Sequence, residues 1–190
     1  MARSGDVCVL LGPVGEDVVD LRHRQRKLQE RFGGRIHRPV HLTCQRFRLR
    51  RHRRRHRRSV DDVIQSVMEE LTGVDPFPIL ADSLALMEHQ FWQSRLLRWR
   101  VQSTLELRSF SSRLERVLSW EGIRPHFPSE RGWLPRYVTA LEGVLERGVG
   151  AAEDALPLPY RLFCARRLVF SVIEQGKRFR IIGETRLFQE

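Results

Sequence analysis

The chain has 190 residues, three cysteines and a formal net charge of +11, a length that suits one domain or two tightly fused lobes around a real core. Cys8, Cys44 and Cys164 are odd in number and lack CxxC spacing, which argues against a disulfide framework and fits a reducing compartment. The longest apolar runs, such as Val7 to Leu11, are far too short to cross a membrane and nothing reads as a signal peptide, so a cytoplasmic chain is expected.

Val7 to Leu11 reads as a short buried strand closed by Gly12-Pro13. A helix is predicted from about Glu16 to Phe32, with Val18, Leu21, Leu28 and Phe32 inward and Gly33-Gly34 as its stop. Val40 to Phe47 reads as a strand. Ser59 caps an amphipathic helix whose Val60, Val63, Ile64, Val67, Met68 and Leu71 recur at helical spacing, with Asp61 and Asp62 where the helix dipole favours acids. Phe77 to Met87 and Leu96 to Val101 look like paired strands, and Leu105 to Trp120 like a helix ending at Gly122. Leu134 to Leu141 reads as a further strand, and Arg167 to Ile173 with Phe179 to Leu187 as a hairpin. That order gives an α+β protein with mainly antiparallel pairing.

Two short segments about half a chain apart carry the chemistry: Pro39-Val40-His41-Leu42-Thr43 and Pro135-Arg136-Tyr137-Val138-Thr139. On a strand, His41 and Thr43 share one face while Leu42 and Cys44 share the other, and Tyr137 with Thr139 repeats the pattern. An imidazole moves a proton and a neighbouring hydroxyl donates to a phosphoryl oxygen, so two such strands facing each other would grip one phosphate from both sides.

These residues resemble the 2H phosphoesterases, within them the bacterial 2'-5' RNA ligase and RNA 2',3'-cyclic phosphodiesterase branch, whose members carry two His-x-Thr/Ser motifs. His41-Leu42-Thr43 matches the first motif in full; Tyr137-Val138-Thr139 matches the second except that Tyr137 stands at the histidine. The resemblance covers almost the whole chain. It implies a single bilobal domain over residues 1–190, with two mainly antiparallel sheets flanked by helices around a central cleft. It also implies phosphoester hydrolysis at RNA ends, related 2'-5' ligation, and no cofactor. By that resemblance His41 takes a proton role, Thr43 and Thr139 hold the phosphate, and Tyr137 is a weak stand-in, since a phenol with a pKa of about 10 is a poor base at neutral pH. His126, a short loop before the second motif strand, is a further candidate acid, or an ordinary loop histidine.

Between Gln45 and Ser59 lie nine arginines and no acid, an insertion over residues 46–58 that leaves only +2 for the rest of the chain. Lys27 and Lys177 are the only lysines, so nearly all the positive charge is guanidinium, which pairs bidentately with phosphate and stacks on bases. One reading is a solvated, self-repelling loop and another is a targeting signal. The functional reading is an RNA grip made of Arg48, Arg50, Arg51, Arg53, Arg54, Arg55, Arg57 and Arg58, starting near the phosphate site, with Phe47 and Trp133 as base-stacking candidates.

His37, His41, Cys44, His52 and His56 include two His-x-x-x-His spacings, but they straddle a strand and a cationic loop, so no metal is expected. Two kinds of function remain open at this stage. One is a phosphodiesterase away from membranes, for RNA 2',3'-cyclic phosphates or for a small nucleotide or other cyclic phosphate, its oligomeric state open with a monomer favoured. The other is a non-catalytic RNA-binding module using the degenerate site and the arginine loop.

Overall fold

The computed structural model describes residues 5–48, 59–89, 93–126, 134–144, 159–174 and 179–188. Its elements are β1 (Val7–Gly12), α1 (Glu16–Phe32), β2 (Arg35–Ile36), β3 (Leu42–Phe47), α2 (Val60–Leu71), β4 (Phe77–His89), β5 (Ser94–Val101), α3 (Leu105–Trp120), β6 (Tyr137–Glu142), β7 (Tyr160–Ala165), β8 (Arg167–Ile173) and β9 (Phe179–Arg186). The strands form one sheet in the order β7-β4-β5-β6-β3-β1-β8-β9, with β2 alongside β6.

The two expected sheets are the halves of this one. Its centre is thin: among the described residues, β3 and β6 are in register at the single pair Leu42 and Val138. On one side lie β3, β1, β8 and β9, and on the other β6, β5, β4 and β7. The halves repeat a unit. β1, α1 and β3 run strand, helix, antiparallel strand, and β5, α3 and β6 do the same.

A shared irregularity strengthens the correspondence. In the first unit Val9 faces Gln45 and Leu10 faces Thr43, leaving Cys44 as an extra residue. In the second, Leu97 faces Leu141 and Arg98 faces Thr139, leaving Ala140 extra. Each bulge falls one residue past the motif threonine, and a bulge moves the following side chains to the opposite face.

That shift corrects one expectation. Unbroken alternation puts Phe47 beside His41 and Thr43; with the bulge, Phe47 faces Val7 and is wholly buried in the main core. Phe47 is therefore a packing residue and has no free face for a base. The first motif strand also starts later than expected, at Leu42, so His41 belongs to the connection from β2.

Helix α1 buries Leu21, Leu28 and Phe32 as predicted, but its fourth buried residue is Gln25 in place of Val18. Gln25 Nε2 donates to the carbonyls of His37 (3.1 Å) and Ala140 (2.8 Å), tying the β2–β3 connection to the second motif strand. A wholly buried amide is tolerated because backbone acceptors satisfy its donors. Gly34 holds the same junction tight: its φ is +82°, and a Cβ there would lie 2.6 Å from the Glu142 carbonyl oxygen.

Helix α2 starts on a full capping box, Ser59 Oγ accepting from the Asp62 amide at 3.0 Å and Asp62 Oδ2 from the Ser59 amide at 2.7 Å. Ser59→Ala is expected to lower stability by about 1 kcal/mol, and Ser59→Thr by much less. Urea denaturation midpoints check this. Strand β7 was not anticipated, because Leu162 and Phe163 are both buried and a register shift against β4 breaks the alternation that marks a strand.

Candidate active site

The middle residues of the two motifs, Leu42 and Val138, are the pair that joins the halves, and both are fully buried. Continuing that antiparallel register one residue either way sets His41 across from Thr139 and Thr43 across from Tyr137. All four are partly exposed and share the face opposite the buried pair. The fold thus brings together the four residues the sequence singled out, at the seam between the two repeated units.

His41 is held in one orientation. Its Nδ1 lies 2.8 Å from the Pro39 carbonyl oxygen, an acceptor only, so Nδ1 carries the hydrogen and Nε2 keeps its lone pair. The ring meets Phe179 edge-on at 5.5 Å between centres and lies 5.4 Å from the His37 ring. Burial, then the neighbouring His37 charge, lower its pKa to about 4; the Pro39 hydrogen bond opposes this and Arg98 adds to it. His41 is therefore neutral at physiological pH, the state a general base needs.

Arg98 was missed in the sequence. It faces Thr139 from β5, and its guanidinium lies 5.8 Å from the centre of the Tyr137 ring. Its Nε is buried without a hydrogen-bond partner among the described residues, and burial lowers its pKa. Its counterpart in the first unit is Leu10, which faces Thr43. A lone arginine inside a strand carries no signal of its own; only the repeat shows that it occupies the position next to the motif threonine.

A cavity of about 390 Å³ opens beside His41, walled by apolar Leu10, Val169, Phe179 and Ile181 and by the cations Arg22, Arg38 and Arg167. Of the four motif residues His41 alone lines it. Cys8 is buried on this face with Leu10, Val169 and Phe179, and burial pushes its thiol up to about 12, so it stays protonated and inert as a nucleophile.

The arginine run begins elsewhere. From His41 to Arg48 the extended chain covers roughly 20 Å, so the run begins at the far end of β3 and not beside His41. Arg48 is engaged there: its guanidinium is 2.8 Å from the buried carboxylate of Asp6, which also has Arg46 at 3.6 Å. His126 belongs to the same cluster, its amide donating to the Arg46 carbonyl and its ring 3.8 Å from Asp6, so it is not a substitute acid beside His41. Arg50, Arg51, Arg53, Arg54, Arg55, Arg57, Arg58 and Trp133 lie outside the described residues, as do His52 and His56. Among the described residues no cluster of three His, Cys, Asp or Glu could hold a metal, and no helix is long and apolar enough to cross a membrane.

No family model matches the sequence, and no curated protein matches it. Solved structures do. LigT of E. coli is 12% identical over 100% of both chains with a TM-score of 0.53. TT0787 of Thermus thermophilus is 13% identical over 96% of this chain and 97% of its own, with a TM-score of 0.58. A crystal structure described as a phosphoesterase is 12% identical over 98% and 100%, with a TM-score of 0.56. This chain has the 2H phosphoesterase fold. His41-Leu42-Thr43 and Tyr137-Val138-Thr139 meet at the seam of that fold through the Leu42 and Val138 pair. LigT itself has been crystallised with 3'-AMP and with phosphate.

Proposed function

We propose that this protein is a phosphoesterase of the 2H type, opening a 2',3'-cyclic phosphate at the end of an RNA or on a nucleotide to leave a 2'-phosphate, with reversible 2'-5' ligation as the related reaction. The observation that carries this reading is His41, oriented by the Pro39 carbonyl at Nδ1 so that Nε2 is left to take a proton, on the same face as Thr43, Thr139 and Arg98. His41 takes the proton of the attacking water. Thr43 and Thr139 donate to the phosphoryl oxygens, and Arg98 balances the charge that builds on them in the transition state, in a site where low dielectric makes that attraction count. The cavity beside His41 offers an apolar bed for a base and three guanidinium groups for further phosphates. The nucleotides bound by LigT, a protein of the same fold, agree with that chemistry.

The test is hydrolysis of a short RNA ending in a 2',3'-cyclic phosphate. With a base of pKa about 4, the rate is expected to stay level on the acidic side down to about pH 5 and to fall only as His41 gains its proton below that. An ordinary histidine would lose half its activity near pH 6.5. No hydrolysis by the wild type or by Tyr137→His at any pH from 4 to 9 would remove the phosphoesterase reading.

A non-catalytic RNA-binding module is the second reading, favoured by Tyr137 at the motif histidine and by the arginine run. It predicts binding without turnover whose affinity falls with salt at about −0.7 log units per log unit for each phosphate neutralised. Salt-sensitive binding of the same RNA with no hydrolysis of its 2',3'-cyclic phosphate separates this reading from the first.

A further inference from the structure

His37 was weighed in the sequence only as a metal ligand, yet it is the other imidazole of this site. It follows β2, which belongs by chain order to the first unit but pairs with the motif strand of the second: Arg35 faces Glu142 and Ile36 faces Leu141. His37 continues that pairing, its amide donating to the Ala140 carbonyl at 3.0 Å, one residue from Thr139. Ile36 packs toward the core, so His37 turns to the same face as the motif residues. The ring is nearly buried, 8% exposed, and its centre is 5.4 Å from that of His41. Its Nδ1 contacts the Glu142 carboxylate, which also has Arg35 at 3.5 Å. A carboxylate accepts only, so Nδ1 carries the hydrogen and Nε2 is the position left to exchange a proton.

We propose that His37, oriented by Glu142, is the general acid of this site and does the work that Tyr137 cannot, so that the chain keeps two catalytic histidines, both delivered by the β2–β3 connection. This rests on the phosphoesterase reading and deepens it. In the step, water adds to phosphorus as its O–H bond breaks and the proton passes to His41 Nε2. The bond from phosphorus to the 3'-oxygen breaks with its electron pair leaving on that oxygen, which takes the proton from His37 Nε2. Glu142 stays a carboxylate throughout, as a positioning residue whose charge balances the imidazolium. The two histidines reset by exchanging protons with solvent.

The experiment compares wild type, His37→Gln, Glu142→Gln, Tyr137→His and the His37→Gln, Tyr137→His double variant on a dinucleotide ending in a 2',3'-cyclic phosphate. His37→Gln is expected to lower kcat by about 10² or more with KM little changed, as for loss of a positioned acid. Glu142→Gln should lower kcat less, again at constant KM. Adding Tyr137→His to His37→Gln should recover at least tenfold, which a merely structural His37 would not allow. A His37→Gln protein turning over at the wild-type rate, while His41→Ala does not, overturns the proposal and leaves the phosphoesterase reading standing. A silent wild type with an active Tyr137→His also overturns it, since His37 should already have supplied the acid. Silence in both removes the underlying reading and the proposal with it. In case His37→Gln does not fold, the wild-type protein is titrated with inorganic phosphate and its histidine ring nitrogens are followed by NMR. Both His37 and His41 should move with one binding curve; an unmoved His37 overturns the proposal.

Discussion

Replacing His41 by alanine is expected to lower kcat on a 2',3'-cyclic phosphate by about 10² to 10⁴, the usual loss for a positioned base, without unfolding the protein. The imidazole is only partly buried, and its single hydrogen bond among the described residues is to Pro39, two positions before it. Its neighbours Leu42 and Val138 hold the seam through buried side chains that the substitution does not touch. Burying one such side chain contributes about 1.5–3 kcal/mol, so the frame around the missing imidazole persists. Circular dichroism should be unchanged while turnover disappears. His41→Asn keeps an Nδ-like donor for the Pro39 carbonyl but offers no basic nitrogen, and should be as inactive as alanine. Activity close to wild type in either variant would mean that another group activates the water.

Phe47→Ala has the largest expected effect on folding. The ring is wholly buried among the residues of the main core, facing Val7 across β1. Removing a buried phenyl leaves a cavity as well as losing its transfer energy, together about 3–5 kcal/mol. That is a large part of the roughly 5–15 kcal/mol by which domains of this size are stable. Urea denaturation should show a much lower midpoint with the slope retained, and Phe47→Leu an intermediate one. A base-stacking Phe47 would behave in the opposite way, with the midpoint kept and affinity for RNA lost. The two outcomes cannot be confused, because one is read without any ligand present.

Phe47 also shows where sequence reading stops. The helices were legible almost to the residue, since α1, α2 and α3 combine a 3.6-residue apolar stripe with caps or glycine stops. The motif residues stood out only because a His-x-Thr, common by chance alone, is echoed half a chain later by Tyr137-Val138-Thr139. A bulge has no such signature: Cys44 and Ala140 are small and ordinary, and only the register between strands reveals that each is one residue too many. Every side chain beyond such a bulge is assigned to the wrong face. Arg98 and His37 escaped for a related reason. Their meaning lies in partners 41 residues on, in Thr139, and 105 residues on, in Glu142, and no local pattern announces a contact across a seam. The arginine run misled through one-dimensional closeness: seven residues after His41 is near in sequence, but an extended strand carries the chain away about as fast as a chain can go.

The repeated units have a consequence for the geometry of the substrate. A site with true twofold symmetry cannot tell one end of a phosphodiester from the other, and would hold it equally well in either sense. In this chain the equivalent positions have diverged in pairs: His41 against Tyr137, and Leu10 against Arg98. One side of the seam carries an imidazole and an apolar wall, the other a phenol and a fixed positive charge. On the phosphoesterase reading proposed above, a phosphodiester held at the seam meets different groups on its two sides and so lies in a single sense.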